Sequence, residues 1–408
     1  MRYVADLHIH TRYSRATSKD MNLETLAKTA KIKGVNLLGT GDITHPEWRK
    51  ELREKLKPAG RGIFQYDGVD FILSGEVSNI YKKDGRLRKI HIVLLFPDFE
   101  KAERFSSRMA AFGSLTADGR PTFGLDVEKM TEILMEISED IMIIPAHIWT
   151  PWFSLFGANS GFDSVEECFG KYADRVTALE TGLSSDPPMN WRLSQLDRYV
   201  LVSNSDAHSP HRIAREANVF ARKLDYYELK ETLEKKDRGT FLFTIEFYPE
   251  EGKYHYDGHR SCDVRLKPRE SIKMGNICPV CGRPLTVGVL HRVEELADRP
   301  EGFVPEGAIP YRNLVPLEEI IAEALGTGVE TKSVKAEYEK LTRAFENELN
   351  VLLDVERVEL EKVTAPRIAE GIIRAREGKL KIVPGYDGVY GIIKIFEEEP
   401  EKPQMSLF

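Results

Sequence analysis

Four cysteines in 408 residues are too few for a disulfide framework, and no apolar run approaches the roughly 20 residues that a membrane-spanning helix needs. The opening residues, MRYVADLHIH, lack the basic, apolar and small-residue succession of a secretory leader, so a reducing cytoplasm is the expected compartment. No repeat period and no low-complexity tract stands out, which excludes solenoids and disordered scaffolds. Positive charge is not in excess either. With 58 Lys and Arg against 65 Asp and Glu, the net charge of −7 excludes a chain that coats nucleic acid throughout and leaves only local basic patches. What is present is a 41% hydrophobic share, enough for buried cores, in a length that suggests about two to three domains.

Up to about residue 243, short β-prone runs alternate with amphipathic helical stretches. Strands are expected at 3–7, 36–40, 70–74, 89–95, 140–145, 175–179 and 199–203, and helices at 23–33, 127–137, 191–199 and 226–236. Such alternation predicts an α/β fold with a mainly parallel barrel or sheet, whose site gathers at the carboxyl ends of the strands. Residues 248–300 are turn-rich, hold three of the four cysteines and are too few for a self-sufficient core, so a staple is expected there. After Pro316 the pattern becomes helical at 317–325, 333–353, 354–363 and 366–377, then β-like at 381–396. The expected division is a barrel at 1–247, a metal-stapled module at 248–300, a helical part at 301–396 and a flexible tail at 397–408.

The first strand ends in His8-x-His10, and residues two apart on a strand share a face, so both imidazoles can reach one ion. An isolated pair of this kind is as easily a surface feature. Here Asp42 and His45 follow a second apolar run in GTGDITH, and Glu76 follows a third in FILSGEVS. His91 opens IVLLF, His147 closes IMIIPAH, and Asp206-x-His208 closes LVSNSDAH. Imidazoles and carboxylates at successive strand ends are the ligand types of zinc, manganese or iron centres.

This series resembles the polymerase-and-histidinol-phosphatase (PHP) family in DLHIHT at 6–11, Asp42 with His45, Glu76, His91, His147 and SDAH at 205–208. The resemblance implies a distorted β/α barrel with two or three divalent ions (zinc, manganese or magnesium) in a phosphoesterase site. It implies that Glu76 bridges two ions and that Glu76, Asp206 and His208 are catalytic, with water activated by metal in place of a serine or cysteine nucleophile. Many relatives have Asp and His adjacent in the second motif; here Ile-Thr separates Asp42 from His45, which sets His45 apart from the other ligands. Glu180, in VTALETG, stands as a second-tier site residue or a solvated strand end.

His259-x-x-Cys262 and Cys278-Pro-Val-Cys281 are two knuckle-like pairs that together offer four ligands for one structural zinc, with His255 competing for the histidine position. Cys168, alone in an amphipathic stretch, reads as a core residue. Basic clusters at 82–89, 260–273 and 367–381 favour phosphate-backbone contacts in a net-acidic chain. The loop after His147, IWTPWFSLFG, sets Trp149, Trp152, Phe153 and Phe156 beside a ligand, as a packed lid or as a stacking wall for an extruded base. Leu325-Gly-Thr-Gly-Val329 reads weakly as a backbone-binding hairpin between helices. Gln404, Leu407 and Phe408 in the final QMSLF resemble the peptide by which replication and repair proteins bind the sliding clamp, PCNA.

A PHP-like barrel followed by GHRSC…CPVCGRPLTVGVLHRVEELADR, a helical part and a clamp-like tail resembles the endonuclease Q family over essentially the whole chain. That resemblance implies a cytoplasmic DNA-repair enzyme working on the chromosome. It would recognise uracil, hypoxanthine, xanthine and abasic sites and hydrolyse the phosphodiester bond 5′ to the lesion. Its partners would be damaged DNA and the sliding clamp, with no membrane. The alternatives are a PHP-type phosphatase of small monoesters, which leaves the zinc pair and the tail without purpose, and a non-catalytic adaptor, which the nearly complete ligand set argues against.

Overall fold

The computed structural model describes residues 2–396. Seven strands surround the first core: β1 (Tyr3–Asp6), β2 (Leu37–Gly39), β3 (Val69–Lys83), β4 (Arg86–Phe96), β5 (Met142–Pro145), β6 (Leu179–Glu180) and β7 (Leu201–Val202). β1, β2 and β3 run parallel, as do β6 and β7. A bridge from Ile143 of β5 to Val176, just before β6, links β5 to the second pair, and a second bridge, Ile9 to Ala207, closes the ring beside β1. The expected PHP-like barrel is thus present in distorted form.

The expectation of a mainly parallel sheet does not hold. β3 continues past Ser74 to Lys83 and turns back as β4, in register from Lys83 opposite Arg86 to Leu73 opposite Phe96, and β4 pairs antiparallel with β5 as well. The cause is local: Asp84 and Gly85 both take positive φ, 52° and 74°, which is the two-residue turn whose twist suits a hairpin. Much of the basic cluster at 82–89 therefore lies on this hairpin.

Alternation along the strands sorts the cores. Ala5, Leu37, Ile72, Val93, Leu95 and Ile144 belong to one cluster, while their neighbours Leu38, Leu73, Leu94 and Phe96 pack with Leu26, Phe105 and Met130 of the surrounding helices. The helix expected at 191–199 does not form. A short helix, Pro187–Asn190, capped by Asp186, is followed only by a 3-10 turn at Ser194–Leu196. There the Asp298 carboxylate takes the Ser194 amide at 2.9 Å, in competition with a helical hydrogen bond.

β8 (Ala217–Phe220) and β9 (Phe241–Glu246) extend the sheet antiparallel from β1, and β10 (Tyr311–Asn313) adds parallel to β9. The last strand of the sheet is therefore supplied by residues beyond 300. Helices Leu317–Leu325, Lys332–Ala344, Glu348–Leu353, Arg357–Val363 and Pro366–Arg376 build a second core that includes Val219, Phe243 and Ile245 of β8 and β9. The single helical run expected at 333–353 is broken where Glu346 takes a φ of 71° and Asn347 caps the next helix by accepting from the Asn350 amide at 2.9 Å. Gly326, left-handed at φ 64°, ends Leu317–Leu325, so the Gly-Thr-Gly segment is a helix–helix connection. A buried Lys33–Glu348 pair at 2.6 Å ties a barrel helix to this layer.

A separate hairpin, Asp257–His259 with Val264–Leu266, and the turns after it hold Cys262, Cys278 and Cys281 around a small core of Val264, Cys278 and Leu285. Among the described residues no helix is long and apolar enough to cross a membrane. Gln404, Leu407 and Phe408 lie outside the described residues.

Candidate metal centre

β1 runs on into His8 and His10, and the His10 amide donates to the Ala207 carbonyl at 2.9 Å, which brings the first and last ring strands together. His8, His10, Glu76 and Asp206 place one ligand atom each within 4.8 Å of one another, and Glu76, His91 and His147 do the same. Glu76 is common to both groups and fully buried. Its Oε1 lies 2.7 Å from His91 Nδ1 and 3.0 Å from His147 Nε2, and its Oε2 lies 3.2 Å from His10 Nε2. His10 Nε2 is also 3.1 Å from Asp206 Oδ1.

The distal nitrogens of His8 and His10 and Oδ1 of Asp206 are buried without a hydrogen-bond partner although they face one another. Buried polar atoms without partners are rare in proteins. Three converging on one space, with two carboxylates among imidazoles, form a donor set that suits a divalent cation. Asp42, His147 and Asp206 also take positive φ, at 45°, 32° and 46°, a conformation uncommon for non-glycine residues.

A second layer fixes the ligands. Glu180 accepts from the His147 amide at 3.0 Å and from Asn204 at 2.8 Å, and lies 3.0 Å from His8 Nδ1, buried behind the imidazoles and not at a solvated strand end. Asp42 accepts from the Thr11 amide at 2.8 Å and from Ser14 Oγ at 2.9 Å, and lies 3.2 Å from His10 Nδ1. Asp42 thus lies against His10 and stands in neither donor group. Two further residues expected as ligands also stand outside the groups. His45 begins the helix Pro46–Lys55, with its ring stacked on Tyr13 at 4.4 Å and its Nδ1 unpartnered. His208 lies 4.4 Å from the His10 ring, with Nδ1 held 2.8 Å from the Asp206 carbonyl, and is part exposed at the mouth.

Burial disfavours an ionised Glu76, but His91, Arg120, His10 and His147 outweigh it and hold the carboxyl well below its ordinary range. Burial brings His91 down to about 4 against the pull of Glu76. Arg120, whose Nη1 is 3.0 Å from Glu76 Oε2, was not foreseen. It sits in a loop between elements, and no apolar run or motif points to it.

The aromatic loop divides. Trp149 and Phe156 are buried and packed at 4.9 Å, with the Trp149 indole donating to Asn190 at 2.8 Å. Phe153 lies 4.8 Å from the His91 ring, Trp152 is half exposed, and the Lys89 ammonium stands 4.8 Å above it. Half of the loop is thus core, and half is a wall beside the second group.

In the hairpin module, His259, Cys262, Cys278 and Cys281 have ligand atoms within 4.8 Å, with His259 Nδ1 3.4 Å from Cys281 Sγ. Burial opposes ionisation of Cys278, but the Cys281 and Val280 amides and His259 outweigh it and bring the thiol down to about 6, as a metal-binding thiolate requires. His255 lies outside the group, buried, its pKa lowered to about 4 by desolvation.

Residues 316–379 match the family described as the MJ0043 C-terminal domain. MJ0043 of Methanocaldococcus jannaschii is 36% identical over 260 residues, 62% of this chain, so the match spans about a third (32%) of that relative's length. YqxK of Bacillus subtilis is 31% identical, with 96% of this chain and 98% of that protein covered. The crystal structure of PfuEndoQ, a lesion-specific endonuclease of Pyrococcus furiosus, is 36% identical with a TM-score of 0.87, over 98% of this chain and 96% of that one. The chain belongs to the endonuclease Q family. A second endonuclease Q structure, in complex with a 27-mer duplex carrying an abasic lesion at the active site, is 36% identical over 98% of both chains with a TM-score of 0.85. A chain of this family with a buried His/Glu/Asp cluster is a metal-dependent endonuclease.

Proposed function

We propose that this protein cuts damaged DNA at the phosphodiester 5′ to a lesion, taking abasic sites and the deaminated bases uracil, hypoxanthine and xanthine. The observation that carries the reading is the sharing of Glu76 by two donor groups in a chain that matches, nearly end to end, an endonuclease crystallised on abasic-site DNA. In this proposal His8, His10, Glu76 and Asp206 hold one ion, Glu76, His91 and His147 another, and His259, Cys262, Cys278 and Cys281 a structural zinc. Divalent ions in the barrel would supply an activated water at neutral pH and positive charge against the phosphoryl oxygens.

The chain's own residues do the rest. Glu180 and Asp42 fix the ring planes of His8 and His10, so that both present the distal nitrogen to the site. His208, part exposed beside His10, can hold a proton at an oxygen of the reacting phosphate. Asp42, His45 and His208 complete the set of expected ligands only if substrate or ions draw them in. Phe153 and Trp152 form a wall on which a base can stack, and an altered base, poorly paired, is extruded at lower cost than a normal one. The barrel at 1–247 is the catalytic unit of this proposal, the module at 248–300 and the helices at 301–396 grip DNA, and the tail at 397–408 meets the clamp.

The test uses end-labelled duplexes identical except for one normal base, uracil, hypoxanthine or abasic site, with manganese or magnesium and with or without chelator. The expected outcome is a chelator-sensitive cut immediately 5′ of the altered position alone. Intact DNA across several metals, with phosphate released from small monoesters, would replace this reading with the phosphatase.

A further inference from the structure

We propose that Arg120 is a phosphate-positioning residue, whose guanidinium holds a non-bridging oxygen of the scissile phosphate across from Glu76; this rests on the phosphodiesterase reading above. Arg120 Nη1 stands 3.0 Å from Glu76 Oε2, on the one carboxylate common to both donor groups. About a quarter of its side chain, 27%, is exposed, matching Asp206 at 27% and His208 at 31%, so these three mark the open side of an otherwise buried centre.

A structural ion pair accounts poorly for this position. Glu76 already has His91, His147 and His10 within 3.2 Å, and each of its oxygens faces imidazole nitrogens that a cation would bridge. If divalent ions took the lone pairs of Glu76, the guanidinium beside it would face positive charge with only the charges of Asp118 and Asp206 left to balance it. A permanently charged group is retained there at a cost unless an anion completes the arrangement. The anion that reaches this centre is the substrate phosphate, and the planar fork of arginine matches two phosphoryl oxygens.

The backbone under Arg120 is built for a fixed aim. At Gly119 a Cβ would lie 2.4 Å from Cγ of Asp42, so only glycine lets the loop lie this close to the orienting carboxylate. The Gly119 amide donates to the Tyr13 carbonyl at 2.9 Å, and the Ser78 amide, two residues along β3 from Glu76, donates to the Pro121 carbonyl at 2.9 Å. Asp118 accepts from the amides of Arg120 and Arg15, both at 3.2 Å. Both flanks of Arg120 are thus pinned to segments that carry site residues, and a preorganised donor contributes more to positioning than a mobile one.

The test compares metal-loaded full-length protein with its Arg120→Gln and Arg120→Lys variants. Metal content is measured by mass spectrometry and inorganic phosphate binding by calorimetry, with single-turnover cleavage of an abasic-site duplex alongside. The expected result for Arg120→Gln is unchanged metal content, about 10-fold or more weaker phosphate binding and about 100-fold slower cleavage, with duplex affinity changed much less. Arg120→Lys should recover part of both losses, since it keeps the charge and loses the fork. Phosphate binding unchanged in Arg120→Gln, absent in the wild type, or lost together with the metal would overturn the proposal. A wild type that binds phosphate through Arg120 but leaves lesion duplexes intact would instead overturn the nuclease reading and keep the positioning role.

Discussion

The barrel centre draws its two groups from residues 8 to 206, whereas His259, Cys262, Cys278 and Cys281 sit within one hairpin and its neighbouring turns. The barrel ligands end strands whose two faces are filled by large clusters, and carboxylates behind them hold the rings in place. The cysteine module has Val264, Cys278 and Leu285 as its core, with Cys262 and Leu266 packed against them, and Cys281 is exposed. In the first centre the scaffold fixes the ligands, so an ion there is free to serve chemistry. In the second an ion would have to fix the scaffold, because so small a core does not repay the ordering of the segment.

The sharpest way to break this contrast is Glu76→Gln. It should lower cleavage about 1,000-fold or more while leaving the melting temperature nearly unchanged, followed by single-turnover kinetics and calorimetry. A variant that unfolds would mean that the barrel, too, depends on its centre for stability. Next in size is Cys278→Ser. Amide hydrogen exchange should rise across 257–287 and not in the barrel strands, and duplex affinity should fall about 10-fold; uniform exchange across the chain would count against a locally stapled module.

Trp152→Ala separates the exposed half of the aromatic loop from its packed half. About 5- to 10-fold weaker binding of lesion duplex at unchanged metal content is expected, measured by fluorescence anisotropy, while Trp149→Ala should mainly lower stability. An unchanged affinity for Trp152→Ala would make the whole loop packing. The smallest effect concerns carboxyls that neither centre uses. Glu246 is pushed up to about 8 by burial, and burial together with Glu246 raises Glu216 as well. A raised folded pKa gives stability that is complete below the ordinary carboxyl pKa and lost as pH rises through about 8. Glu246→Gln should therefore match the wild type near pH 5 and melt about 2 °C higher at pH 9; parallel melting curves across that range would refute the assignment.

The members of the two donor groups that are legible in the sequence are those that close or open an apolar run: His8 and His10 after the first strand, then Glu76, His91, His147 and Asp206. Strand periodicity carries that information, because a polar group at the end of a buried strand must face a site or water. The cysteine pairs were legible by spacing alone. What periodicity cannot carry is direction. The turn at Asp84-Gly85 reverses the chain and makes the sheet mixed, yet an Asp-Gly pair in a charged stretch reads equally as a loop between parallel strands. Nor does spacing show that Asp42, which reads like Glu76, also contacts Thr11, Ser14 and His10. Arg120 lies beyond both kinds of signal, since a loop arginine acquires meaning only from the carboxylate across from it.

The pairing of Thr244, Ile245 and Glu246 with Tyr311, Arg312 and Asn313 has a consequence for how the protein can be divided. A fragment ending near residue 300 would keep both barrel donor groups and, but for Ile309, both barrel clusters, yet expose the outer backbone of β9 as a bare edge, ready to pair with another copy. Such a fragment should aggregate rather than act as a minimal nuclease. The helical part is then a lateral seal on the sheet, and loss of the segment beyond residue 300 would be felt first as insolubility.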